Sequence, residues 1–96
     1  MSIAQTILQQ LGGNRFVMMT GAKNILAGDN YISFKIMRNA KGVTHVKITL
    51  TPLDLYHVEF IKIRGTNIST VFEFDNVYCD QLRNLFEKET GLYTSL

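Results

Sequence analysis

Tyr31-Ile32-Ser33-Phe34-Lys35-Ile36-Met37-Arg38 alternates apolar with polar side chains, and His45-Val46-Lys47-Ile48-Thr49-Leu50-Thr51 alternates again a short distance later. Alternation with period two puts Ile32, Phe34 and Ile36 on one face of a strand. It puts Val46, Ile48 and Leu50 on the matching face of the next strand, as in a half-buried antiparallel sheet. Between them lies Asn39-Ala40-Lys41-Gly42, with Gly42 placed to take a positive φ. Matching the two apolar faces pairs Ile36 with Val46, Phe34 with Ile48 and Ile32 with Leu50. That register predicts a three-residue loop over 40–42.

The pattern continues downstream. Residues 56–64 start with Tyr56, Val58 and Phe60 inward and then change phase to Ile61 and Ile63, which predicts a β-bulge or burial on both faces. Residues 69–75 put Phe72 and Phe74 inward and Glu73 outward, after a turn at Gly65-Thr66-Asn67. Pro52, the only proline, falls in the connection over 51–54, where its missing N–H does no harm. Face matching of 45–51 with 56–64 sets Thr49 opposite His57, Lys47 opposite Glu59 and His45 opposite Ile61.

Helices are expected at both ends. Ser2-Ile3-Ala4-Gln5 fits a capping box, Ile3, Ile7, Leu8 and Leu11 form one stripe, and Gly12-Gly13 stops the helix. Residues 16–20 read as a short strand, and 21–30 as a loop that tucks Ile25 and Leu26 over the core. Asp75 or Asn76 caps a second helix over 77–89, with Tyr78, Leu82, Leu85 and Phe86 on one face. Gly91 ends it, and Leu92, Tyr93 and Leu96 form an apolar tail that docks on the core or on a partner, including a second copy. The fold class is α+β in one domain over 1–96. It comprises an antiparallel meander of four or five strands flanked by an N-terminal and a C-terminal helix packed on one sheet face. Ser33, Lys35, Lys47, Thr49, His57 and Glu59 occupy the other face.

A hydrophobic fraction of 46% with 19% charged residues excludes a disordered chain. No apolar run approaches the roughly 18 residues of a membrane helix, and the start lacks a signal peptide's basic residues, so no membrane partner is expected. The single Cys79 leaves no internal disulfide and fits a reducing cytoplasm. The net charge of +2 is unevenly spread. Residues 1–72 hold eight basic and three acidic side chains, whereas 73–96 hold two and five. Such asymmetry marks either a solvated sheet or a polyanion-binding face.

Catalytic chemistry finds little support. Gly21-Ala22-Lys23-Asn24 lacks the glycine spacing and Lys-Ser/Thr ending of a phosphate loop. Cys79 stands near a helix start but beside Asp80, and reads as a buried structural thiol. His45 and His57 fall ~13 Å apart along the sheet, too far to share a metal, and read as surface residues. Asp29, Asp54, Glu59, Glu73 and Asp75 are scattered, and Glu59 serves as the cross-strand partner of Lys47. No catalytic residue, metal or cofactor is expected, and the chain is not read as an enzyme. What remains is a basic surface of Lys35, Arg38, Lys41, Lys47, Lys62 and Arg64. It lacks exposed aromatics for base stacking, since Phe34, Phe60, Phe72 and Phe74 face the core.

Three segments carry a resemblance. They are Asn39-Ala40-Lys41-Gly42 with Val46-Lys47-Ile48-Thr49-Leu50; Asp54-Leu55-Tyr56-His57-Val58-Glu59-Phe60 through Ile63-Arg64-Gly65; and Val77-Tyr78-Cys79-Asp80-Gln81-Leu82 with Thr90-Gly91-Leu92-Tyr93-Thr94. Together they are similar to small uncharacterised proteins of bacteriophages, prophages and mobile elements. The resemblance implies a phage or mobile-element origin and a bacterial cytoplasm, and it brings no site residues. The expected function is a non-enzymatic interaction protein that binds and inhibits a host macromolecule, in the manner of an anti-CRISPR or other anti-defence inhibitor. The alternatives are a nucleic-acid-binding accessory protein using the basic sheet face, or a phage structural or assembly protein. Expected partners are accordingly a host or phage protein, nucleic acid, or a second copy as a homodimer.

Overall fold

The alternating segments build one five-stranded antiparallel sheet in which each strand pairs with its sequence neighbours. In this computed structural model, which describes residues 2–94, the strands are β1 (Lys23–Ala27), β2 (Tyr31–Lys35), β3 (His45–Leu50), β4 (Tyr56–Arg64) and β5 (Asn67–Val77). Helices α1 (Ile3–Leu11) and α2 (Asn14–Thr20) precede the sheet, and α3 (Leu82–Thr90) follows it after a 3₁₀ turn at Cys79–Gln81. The expected α+β meander is present, with five strands. Leu96 of the expected apolar tail lies outside the described residues.

One sheet face forms the core. Ile32, Phe34, Val46, Ile48, Val58 and Phe60 are buried there against Ile7, Leu11, Phe16, Leu82 and Phe86 of the helices. Phe16 sits at the middle, edge-on to Phe34 at 5.4 Å and to Phe86 at 5.0 Å. The capping box forms as read: Ser2 N donates to Gln5 Oε1 and Gln5 N to Ser2 Oγ. The Tyr56 hydroxyl donates to Gln10 Oε1 at 2.7 Å and ties α1 to the sheet.

Several local expectations change. Residues 16–20 belong to helix α2: Phe16 and Thr20 are buried while Met18 between them is exposed, whereas a strand would put all three on one face. Part of the expected 21–30 loop is β1, an edge strand whose register is broken between Lys23 and Leu26 and where Asn24 takes φ 53°. Leu26 pairs with Ser33 on the outer face and is exposed rather than tucked in. The β2–β3 register differs from face matching by two residues: Phe34 pairs with Val46 and Ile32 with Ile48. A shift of two keeps every side chain on its face. It lengthens the loop to 36–44, and buries Ile36 and Val43 within that loop. The β3–β4 register is the expected one.

The phase change in β4 has its cause in β5. A tight turn at Gly65 and Thr66 pairs Arg64 with Asn67, and simple counting from it would put Phe72 opposite Glu59. The register shifts between Phe60 and Ile61, leaving Val71 as the extra residue, so that Phe72 faces Phe60 and Glu73 faces Glu59. Ile61 and Ile63 then lie on the outer face, half-buried. Phe72 and Phe74 are only partly buried at this edge of the core. The second helix starts later than expected, since β5 runs to Val77. Tyr78 is consequently exposed, while Leu82, Leu85 and Phe86 keep their inward face.

Candidate functional site

The β2–β3 loop owes its shape to Asn39. Its Nδ2 donates to Met37 O at 3.0 Å and Val43 O at 2.7 Å, and its Oδ1 accepts from Val43 N at 3.2 Å. Gly42, at φ +72°, lets the chain reverse there. Thr44 then ties the loop to β4: its N donates to Ile61 O at 2.9 Å and its Oγ1 accepts from Ile63 N at 2.9 Å. The loop is thereby held against the far end of β4, where Lys62 and Arg64 emerge.

The result is a concave site of about 580 Å³ lined by Lys35, Arg38, Lys62 and Arg64 around Asn39, Gly42 and Thr44. The Lys62 ammonium stands close over Gly42, 3.6 Å from where a Cβ would lie. Among the described residues none of these four cations forms an ion pair. The positive field is felt next door. His45, on the adjoining strand, is held below its ordinary pKa, first by burial and then by Lys35. A second concavity of about 420 Å³ between β5 and α3 has one basic residue, Lys88, beside Leu85 and Val77, and gathers no comparable charge.

The remaining basic candidates lie elsewhere. Lys41 is exposed at the loop tip and does not line the cleft. Lys47 is on the outer sheet face with its Nζ 4.7 Å above the Tyr31 ring. Its expected pairing with Glu59 exists in the backbone register but not as an ion pair. In the tail, Leu92 packs half-buried against the core and Tyr93 is exposed. Thr94 is buried, its N donating to Glu87 Oε2 at 2.8 Å and its Oγ1 accepting from Arg83 Nε at 3.2 Å. Cys79, read as buried, is exposed in the 3₁₀ turn that precedes α3.

The carboxylates that look scattered in the sequence are brought together. Glu59 and Glu73 are direct cross-strand neighbours. His57 lies beside them, with Nδ1 2.5 Å from Asp75 Oδ1 and Nε2 3.6 Å from Glu73 Oε1. Only the Val71 bulge makes Glu59 and Glu73 opposite, so the one available signal was the need to turn both Phe72 and Phe74 inward after a two-residue turn.

Fold and site together define a five-stranded antiparallel meander, backed by helices on one face, with a cation-lined cleft at one end of the sheet. No protein family, curated protein or solved structure matches the chain. Among the described residues no helix is long and apolar enough to cross a membrane.

Proposed function

We propose that this chain is a non-enzymatic binding protein that holds nucleic acid by its phosphate backbone in the cleft of Lys35, Arg38, Lys62 and Arg64. The observation that carries this reading is the convergence of four cations with no carboxylate partner among the described residues. Gathering like charges costs energy, and a nucleic acid whose phosphates neutralise them relieves that repulsion and releases its own condensed counterions. Arg38 and Arg64 offer planar forks to phosphate oxygens, while Lys35 and Lys62 act as point charges. Recognition is of backbone rather than bases. The strand phenylalanines face the core, and the Tyr31 ring is already covered by Lys47.

The resemblance to phage and mobile-element proteins adds a setting, the bacterial cytoplasm, and a use: occupying nucleic acid that a host defence complex must reach. The test is fluorescence anisotropy with labelled duplex DNA, single-stranded DNA and RNA, comparing the natural chain with Lys62→Glu/Arg64→Glu. A loss of affinity beyond tenfold with an unchanged circular dichroism spectrum supports the proposal. Equal affinity in both proteins, or no binding by the natural chain at low salt, refutes it.

A further inference from the structure

The outer face of β4 and β5 carries a second constellation, separate from the basic cleft. Glu59 and Glu73 stand directly opposite each other, an arrangement of like charges that destabilises a sheet unless something positive lies between them. Lys47, the neighbour of Glu59 on β3, does not supply that charge, because its ammonium is over the Tyr31 ring. Among the described residues Glu59 forms no ion pair.

The group next to both carboxylates is the His57 imidazole. When Nδ1 carries the proton toward Asp75, Nε2 presents a lone pair toward Glu73 Oε1, 3.6 Å away. That gap is too long for a hydrogen bond. It matches the ~3.3–3.6 Å that separates two ligand atoms on a tetrahedral ion with bonds of about 2.0–2.2 Å. Donor atoms of His57, Glu59 and Glu73 all lie within 4.8 Å of one another. A carboxylate on the far nitrogen is the usual means of orienting a metal-ligating histidine, and Asp75 is placed for that role.

We infer that His57 Nε2, Glu59 and Glu73 form a binding site for a divalent transition-metal ion of the zinc type, with Asp75 positioning the imidazole. One imidazole nitrogen with two carboxylates suits Zn²⁺ better than Mg²⁺ or Ca²⁺, which take all-oxygen shells. The three ligands stand on paired strands, so binding requires little ordering of the backbone. His57 and Glu59 are half-buried and Glu73 is exposed, which leaves the ion a path from solvent and a fourth position for water.

The experiment is calorimetric titration of the full chain with ZnCl₂, with MgCl₂ in parallel. It is repeated on Glu73→Gln, His57→Gln and Asp75→Asn, and on Cys79→Ser and His45→Gln, which remove the other nitrogen and sulfur donors most prone to bind zinc. Expected are one Zn²⁺ per chain, loss of binding in Glu73→Gln and His57→Gln, and affinity ~10–100-fold weaker in Asp75→Asn. Cys79→Ser and His45→Gln should bind as the natural chain does, and Mg²⁺ should not compete. Glu73 is exposed, so its glutamine variant keeps the fold and decides the matter if His57→Gln does not. No zinc binding by the natural chain overturns the inference. Binding that survives Glu73→Gln, or that disappears in Cys79→Ser, overturns it as well.

Discussion

Phe16 fills the space between sheet and helices, and Phe34 and Phe86 both stand edge-on against it. Truncation there leaves a cavity that neither layer closes. Phe16→Ala should therefore cost ~3–5 kcal/mol. Phe72→Ala should cost distinctly less, because Phe72 is only partly buried at the β5 edge. Chemical denaturation of the two variants checks both the size and the order. His45 gives a pH-dependent counterpart. Its pKa in the folded chain is lowered, by burial and then by Lys35. The unfolded chain therefore binds the proton more readily. The stability contributed by neutral His45 is complete above the ordinary imidazole value of about 6.5 and is lost as pH falls below it. Melting temperatures from pH 8 to pH 5 should fall less steeply in His45→Gln than in the natural chain. Parallel slopes would show that His45 is not the titrating group.

At the scale of elements, the β2–β3 loop is the part that turns a plain sheet into a binding site. Asn39→Ala removes three hydrogen bonds from that loop. It should cost ~1–3 kcal/mol where buried groups are left without partners, and the Val43 amide should exchange faster with solvent. Protection unchanged at Val43 would mean that the loop keeps its shape by other contacts. This loop also shows where sequence reading stops. The faces of β2, β3 and β4 follow from alternation alone, and the short connection between Leu50 and Tyr56 adds the β3–β4 register. The β2–β3 register does not follow, because Ile36 and Val43 satisfy their apolar character from within a loop, which period two does not encode. Helix α2 was hidden for a different reason. Phe16-Val17-Met18-Met19-Thr20 is apolar enough for a strand, and what separates helix from strand is the exposure of Met18 between buried Phe16 and Thr20, which the sequence does not show. The six basic residues were legible as a group, yet the loop and the β4 end sort them into four that converge, one at a tip and one on an aromatic ring. The cluster at His57 depended on the Val71 bulge and was not legible from spacing.

Across the whole molecule, charge is divided along with architecture. The cleft at one end of the sheet holds cations, while Glu59, Glu73 and Asp75 occupy the outer face of β4 and β5. Such a division orients an anionic partner toward the cleft and away from the acidic side. It also separates the two sites functionally, since substitutions in the cleft leave the groups around His57 in place. The measurement that tests the cleft most directly is the salt dependence of duplex DNA binding. Four cations that each neutralise one phosphate should give log affinity against log salt a slope of about −3.6. Reversing Lys62 and Arg64 together should make that slope shallower by about 1.8, while circular dichroism is unchanged. A slope near zero, or one that stays the same in the doubly reversed protein, would contradict binding through this cleft.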